Sequence, residues 1–274
     1  MIPYFTIPSI HLFGSVYLHP FGVLLVLGMI IAYRVMMSRA DDLKIPGDEM
    51  KGALICAFTV GLIGAHVVEV LFYQPEILRT EGWTVYFRVF TGLSSIGGVF
   101  GGLAGLCVYL KCRRRPCIPH LSVMVEGFVF WWAFVRLGCT LAHDHVGTLT
   151  SFFMAFNYPS GPRHNLGFYE FLVVILVLFP LTMILRRNRS GPRDYVGTMF
   201  LIYGSLRFGL DFLRATDLPG SDLRYWDLTA AQYGCVMLAA VGLCMLLFRS
   251  SIPTRNTWPH ERCKRAPLDG RAMT

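Results

Sequence analysis

Apolar residues run along this chain in long blocks, and polar residues collect in the short stretches between them. A helix needs about 20 apolar residues to cross the hydrocarbon core of a bilayer. Seven blocks are of that order: Leu18–Met37, Ala53–Tyr73, Ser94–Leu110, Leu121–Leu141, Leu166–Leu185, Tyr195–Leu213 and Leu228–Phe248. The third is short and glycine-rich, and the sixth carries charges. The pattern predicts an all-α polytopic membrane protein. Residues 1–248 would form a single seven-helix transmembrane domain, and 249–274 a solvated, basic tail.

Composition agrees. Hydrophobic residues make up 54% of the chain and charged residues 15%, against roughly 25% charge in a soluble domain. That excludes a disordered chain and argues against a soluble enzyme. The net charge of +8 would suit nucleic acid if the basic residues stood apart from the membrane. They do not. Arg39, Lys44 and Lys51 fall in the first loop, and Lys111, Arg113, Arg114 and Arg115 in the third. Arg186, Arg187, Arg189 and Arg193 lie in the fifth, and six more follow Phe248. The alternate loops hold only Arg79 and Arg88, then Arg163, then Arg214 and Arg224. Basic residues favour the cytoplasmic side, so the N-terminus is expected outside and the C-terminus inside. No nucleic-acid partner is expected. The first 17 residues lack a basic leader and no small-residue cleavage site follows them, so no cleavable signal peptide is expected either. The expected address is a bacterial-type plasma membrane.

The eight cysteines do not read as a disulfide framework. Cys56, Cys107, Cys139, Cys235 and Cys244 lie within spans, where a thiol usually serves as a small apolar filler. Cys112, Cys117 and Cys263 fall on the inner, reducing side.

Ionisable groups inside a span cost about 2.5–3.5 kcal/mol each on insertion scales, so each needs a reason. They are His66, Glu69, Glu126, Arg136, Glu170, Arg207 and Asp211. In the expected orientation all but Glu126 gather at the outer leaflet. Arg207, Asp211 and Arg214 fall on one helical stripe, and His66 and Glu69 share a face as a self-satisfying pair. Arg136 and Arg207 lie at one depth with few carboxylates to neutralise both. Guanidinium groups bind phosphate with two bonds and stay charged in apolar surroundings, so the pair reads as a site for an anionic phospholipid headgroup.

Two further features stay open. Gly97, Gly98, Gly101, Gly102 and Gly105 suit close packing of two helices; Gly97 and Gly98 could also offer backbone N–H groups to an anion. His143-Asp144-His145 follows the fourth block and could serve as an acid/base or orienting group, a metal ligand set, or a solvated loop. No metal or cofactor is assigned.

Several fragments share their order with a known family. Pro20-Phe21-Gly22 opens the first block, and Gly64-Ala65-His66 leads to Leu71-Phe72-Tyr73. Gly92-Leu93-Ser94-Ser95-Ile96-Gly97-Gly98 is similar to Gly-Met-Ser-x-His-Gly-Gly. Arg136-Leu137-Gly138 with Gly147 fits Gly-Arg-x-Gly-Asn-x-x-Asn-Gly-Glu-x-x-Gly. His164 with Phe168-Tyr169-Glu170 fits His-Pro-x-Gln-Leu-Tyr-Glu. Tyr203-Gly204, Arg207-Phe208, Asp211-Phe212 and Arg214 fit Tyr-Gly-x-x-Arg-Phe-x-x-Glu-Phe-x-Arg, and Leu228-Thr229 with Gln232 fits Leu-Thr-x-Gly-Gln. From Leu18 to Leu247 the chain resembles the phosphatidylglycerol–prolipoprotein diacylglyceryl transferases.

The resemblance implies an enzyme, its substrates and the roles of its residues. A lipobox cysteine of a prolipoprotein would attack the glyceryl carbon of phosphatidylglycerol, forming a thioether and releasing glycerol phosphate. Arg136 and Arg207 would hold the lipid and steady the leaving group, with Tyr169, Glu170, Asp211 and Arg214 orienting them. Gly97, Gly98, Gly138, Asp144 and Tyr203 would line the substrate site. The departures bear on activity: the motif's histidine is Ile96, its asparagines are Cys139 and Ala142, and its Asn-Gly-Glu is Ala142-His143-Asp144. His143 or His145 would then replace the proton acceptor lost at Ile96. A paralogue that only binds anionic phospholipid, or that uses another acceptor, is the alternative.

Overall fold

The computed structural model describes residues 1–13, 16–87, 92–218 and 221–248. Arg88 and the basic tail lie outside the described residues. β1 (Ile2–Pro3), β2 (Ile10–Phe13) and β3 (Val16–Leu18) precede the first helix, α1 (Pro20–Asp42). α2 (Gly47–Val68) runs on through a π turn, Glu69–Tyr73, to the short α3 (Pro75–Glu81). α4 (Ser95–Cys112) and α5 (Cys117–Ala142) follow, and then β4 (Val146–Leu149), β5 (Phe156–Tyr158) and β6 (Gly161–Asn165). α6 (Leu166–Val173) passes through a second π turn, Val174–Leu178, into α7 (Phe179–Arg187). α8 (Pro192–Leu210) ends in a 3-10 turn, and β7 (Arg224–Tyr225) and β8 (Leu228–Thr229) lead into α9 (Ala230–Leu247).

Among the described residues, seven helical segments are long and apolar enough to cross a membrane. Each matches one expected block with ends shifted by at most about six residues, within the usual reach of end-fraying and polar end turns. The second π turn has a local cause. Pro180 brings no N–H, and its ring would clash with the carbonyl four residues earlier, so the helix widens just before it.

The helices turn round at one end of the bundle through three matching loops. Leu43–Pro46, Arg113–Pro116 and Asn188–Gly191 each follow a helix, and each puts a basic residue in the left-handed conformation: Lys44 (φ 55°), Arg114 (φ 55°) and Arg189 (φ 52°). The next N–H reaches a carbonyl five residues back, from Ile45 to Ala40, Arg115 to Leu110 and Ser190 to Leu185. These bonds satisfy carbonyls that the helix end leaves free, and the basic side chains suit its negative dipole end.

At this turn end Glu126 is buried, 1% exposed, between Arg39 Nε (3.2 Å) and Arg186 Nη1 (2.7 Å). That clamp ties α1, α5 and α7 together and accounts for the one intramembrane charge placed apart from the others. α5 is the most enclosed of the seven spans. α1 packs along it, while α2 packs along α4 and α8 along α9. The α2–α4 pair is a backbone contact: a Cβ on Gly64 would lie 2.7 Å from the Gly97 carbonyl oxygen, and one on Gly101 2.7 Å from that of Val60. Only glycine permits such approach.

The opposite end carries a small sheet that the apolar pattern did not predict. Its strand order is β1-β5-β6-β4, with β1 parallel to β5 and the other pairs antiparallel. The strands have two to five residues, too few for a periodicity argument to find.

Candidate functional site

At this sheet end α5, α6 and α8 bring four charged side chains into one apolar interior. Arg136 is 2% exposed, Glu170 1%, Arg207 5% and Asp211 0%. Glu170 bridges the two arginines: its Oε2 lies 2.9 Å from Arg136 Nε and its Oε1 3.0 Å from Arg207 Nε. Arg207 Nη1 donates to Asp211 Oδ1 at 2.8 Å. Arg214 joins through Nε to the same oxygen (3.2 Å) and through Nη1 to Asp222 (2.8 Å). Asp211 also accepts the hydroxyl of Thr229, the residue that caps α9 in a reciprocal pair with Gln232. The Arg136 guanidinium lies 4.3 Å from the centroid of the Trp132 ring, a cation–π contact.

This corrects one expectation. The two arginines are not short of carboxylates, because Arg136, Arg207 and Arg214 share Glu170, Asp211 and Asp222. Pairing is required in so dry a setting, where an isolated buried charge would cost several kcal/mol. Since Glu170 engages Nε of both arginines, the outer guanidinium edges point elsewhere. Arg136 Nη1 faces Cys139 Sγ at 3.8 Å.

The residues after α5 close over this network. His143 caps α5 in the left-handed region (φ 54°, ψ 32°), at the position where the resembled motif has glycine. A side chain there costs about 1–2 kcal/mol, and the ring is pinned in return. Its Nδ1 lies 3.1 Å from Tyr158 Oη and 3.3 Å from Asn165 Nδ2, and its Nε2 is 2.8 Å from the Phe5 carbonyl oxygen. Tyr4, Phe5 and Phe156 surround it. With both nitrogens engaged, His143 is a peg between α5 and the sheet.

His145 is different. Its Nδ1 has no hydrogen-bond partner among the described residues, and its Nε2 lies 3.9 Å from Asp144 Oδ1. Burial, then Arg136, Arg214 and Arg207, hold its pKa well below the usual histidine value. Burial raises the carboxyl of Asp144 above its ordinary value. Ligand atoms of Cys139, Asp144 and His145 all lie within 4.8 Å of one another.

The sheet holds these residues against α8. Gly147 forms a β-bridge with Arg214, and a Cβ on it would meet the Leu213 carbonyl oxygen at 2.6 Å. Arg163 on β6 donates to the Gly147 carbonyl (3.2 Å) and, through two nitrogens, to Asp217 (2.9 and 2.5 Å). His164 Nδ1 and Tyr169 Oη lie 2.8 Å apart, and Tyr203 packs edge-on to Trp132.

Three glycines expected in the substrate site take part in packing or in a helix cap. The Gly97 N–H donates to Ser94 Oγ and that of Gly98 to the Ser94 carbonyl, so neither is free for an anion. A Cβ on Gly138 would lie 2.7 Å from the ring of Phe21 on α1. Trp132, Asp222 and Arg163 were not expected from the sequence. Trp132 lies one helical turn before Arg136, a spacing that could have identified it; no spacing relates Asp222 or Arg163 to their partners. Apart from these charges, an apolar groove of about 620 Å³ lies between α2 and the residues after it, lined by Val67, Leu71, Leu78, Gly82, Trp83 and Tyr86.

Known proteins are similar to this chain over most of their length. One relative, named phosphatidylglycerol–prolipoprotein diacylglyceryl transferase, from Janthinobacterium sp., is 28% identical over 247 residues, 87% of this chain and 91% of the relative. Another of that name, from Mannheimia succiniciproducens, is 27% identical over 216 residues, 77% of this chain and 80% of the relative. A third, from a Wolbachia of Drosophila simulans, is 28% identical over 250 residues, 88% and 94% of the two chains. The family model described as prolipoprotein diacylglyceryl transferase matches residues 8–248. With that match spanning all seven spans and the buried arginine network, the chain belongs to the prolipoprotein diacylglyceryl transferase family.

Proposed function

We propose that this protein is a transferase that moves the diacylglyceryl group of phosphatidylglycerol to the thiol of a prolipoprotein's lipobox cysteine. Glycerol phosphate is the leaving group. The observation that carries the reading is the fixing of Arg136 and Arg207 side by side on Glu170, in a chain whose relatives bear that activity in their names.

The geometry suits the chemistry. Negative charge develops on the phosphate as the carbon–oxygen bond breaks, and fixed guanidinium groups in a dry site stabilise it most when they need not reorganise. Glu170, Asp211 and Trp132 hold Arg136 and Arg207 in place, and Arg214 extends the positive edge toward Asp222. Tyr169 and Tyr203 stand beside this network as orienting residues. Thiol activation falls to the corner formed by Cys139, Asp144 and His145, since His143 has both nitrogens engaged.

The sheet end faces outside and the turn end faces the cytoplasm of a bacterial inner membrane. The support is the charge of the loops: Lys44, Arg113, Arg114, Arg115 and Arg189 all lie at the turn end. The test uses purified protein in detergent with phosphatidylglycerol and a lipobox peptide, following glycerol phosphate release. Release is expected from the unmodified protein and not from Arg136→Ala or Arg207→Ala. Release that survives both substitutions would sink the assignment.

A further inference from the structure

The chain departs from the resembled motif at Ile96, Cys139 and Asp144, and adds His145 beside them in sequence. Ile96 stands where the motif has a histidine, which removes a proton carrier. Cys139 and Asp144 stand where it has asparagine and glutamate, and His145 fills a position the motif leaves open. The fold brings those last three together, with ligand atoms within 4.8 Å of one another.

We propose that Cys139 Sγ, a carboxylate oxygen of Asp144 and a ring nitrogen of His145 form a three-ligand site for a zinc-class cation, whose open fourth position receives the acceptor's thiol. Only the identity of that fourth ligand rests on the transferase reading.

The donor set is the first argument. Sulfur, nitrogen and carboxylate oxygen together suit a borderline-soft divalent ion, and three protein ligands with one open position mark a catalytic rather than a structural site. Zinc bonds of about 2.0–2.3 Å need tetrahedral ligands roughly 3.5 Å apart, so closing from the observed spacing takes rotamer shifts of about 1 Å. Positioning is the second argument. Cys139 lies in the last turn of α5, the left-handed His143 turns the chain back, and the His145 carbonyl accepts the Leu166 N–H at 2.9 Å. These restraints hold the segment against α6.

Access is the third. Cys139 is buried at 4% exposure, whereas the side chains of Asp144 and His145 are 43% and 26% exposed. The cluster is therefore closed on the protein side and open on the other, as a fourth ligand requires. Arg136, Arg207 and Arg214 each have a carboxylate partner, which offsets part of the positive field they place on the cluster. A thiolate and a carboxylate among the ligands balance a doubly charged ion. Arg136 Nη1, 3.8 Å from Cys139 Sγ, would orient that sulfur without itself binding the ion.

Such a site answers the loss at Ile96. A thiol on a metal is deprotonated outright and needs no imidazole base. The acceptor thiol releases its proton to solvent, and its sulfur forms a bond to the glyceryl carbon. The carbon–oxygen bond to phosphate breaks, and the electron pair leaves on the glycerol phosphate. The metal's oxidation state does not change.

The test uses full-length protein purified in detergent without chelators and then loaded with zinc or with cobalt(II). About one zinc per chain is expected by mass spectrometry, falling to background in Cys139→Asn and His145→Ala. Cys139→Asn restores the motif residue, and a melting temperature equal to that of the parent, both freed of metal, will show that it folds. Cobalt-loaded protein should show a thiolate charge-transfer band that strengthens when lipobox peptide is added, and not with the Cys→Ser peptide. No bound zinc, with glycerol phosphate release indifferent to chelators, overturns the site and leaves the transferase reading standing. Zinc bound and lost as expected, with no release under any condition, confirms the three-ligand site and overturns its assigned fourth ligand.

Discussion

Arg136 on α5 and Arg207 on α8 are held side by side by opposite oxygens of one carboxylate, that of Glu170 on α6. Three helices thus meet at a single buried ion cluster, and the site's shape depends on a residue that need not touch substrate. Glu170→Gln should therefore act mainly on stability. Removing one partner of a buried ionic network typically costs about 3–5 kcal/mol. A melting curve in detergent that matches the parent's would contradict this role.

Arg136→Lys separates charge from geometry. Lysine keeps the charge but cannot bridge Glu170, stack on Trp132 and face Cys139 as one planar group. Glycerol phosphate release should fall by about 100-fold to 1,000-fold, the scale of losing one fixed donor to a developing anion. A turnover number within a factor of three of the parent's would show that charge alone suffices.

His143 and His145 should separate cleanly. His143 occupies a left-handed position, so His143→Gly relieves backbone strain while it loses the ring's bonds to Phe5 and Tyr158. Turnover by the folded protein should persist in that variant and collapse in His145→Ala. The reverse pattern would return thiol activation to His143.

The α2–α4 contact allows no side chain at Gly64, where a Cβ would lie 2.7 Å from one backbone oxygen and 2.9 Å from the Cα of Gly101. Backbone cannot yield as a side-chain tip can. Gly64→Val should cost about 1–3 kcal/mol, the usual range for overpacking, and leave the turnover number of the folded fraction intact. An unchanged unfolding midpoint would mean that the two helices do not pack this closely.

Arg163 holds the Asp217 carboxyl below its ordinary value by hydrogen bonds. A depressed carboxyl contributes fully above the unfolded value near 3.9 and is lost as pH falls through the folded one. The protection of the Ala215–Leu218 amides against hydrogen exchange, relative to the intrinsic rate at each pH, should therefore be high at neutral pH and fall only in acid below that value. In Asp217→Asn protection should be low throughout; high protection in that variant at neutral pH would show that the ion pair does not hold this segment.

Much of this architecture is legible in the amino-acid sequence. An apolar block about 20 residues long has one favourable fate in a bilayer, so the blocks beginning near Leu18, Ala53 and Leu166 specify spans through local composition alone. The glycines from Gly97 to Gly105 likewise announce a close helix contact. Arg136, Glu170, Arg207 and Asp211 stand out because charge within such blocks is costly and therefore rare.

What composition could not disclose is who meets whom. Glu170 lies 34 and 37 positions from its two arginines, Arg163 lies 54 from Asp217, and no periodicity links such partners. The same limit applies to the small sheet, whose strands are too short to show a pattern of their own, and to His143, whose left-handed turn decides that it becomes a peg while His145 remains open. Spans follow from local composition because the bilayer acts on each segment separately. The ion cluster and the Cys139–Asp144–His145 corner follow from packing, because desolvation forces each buried charge to find a partner wherever the folded chain supplies one.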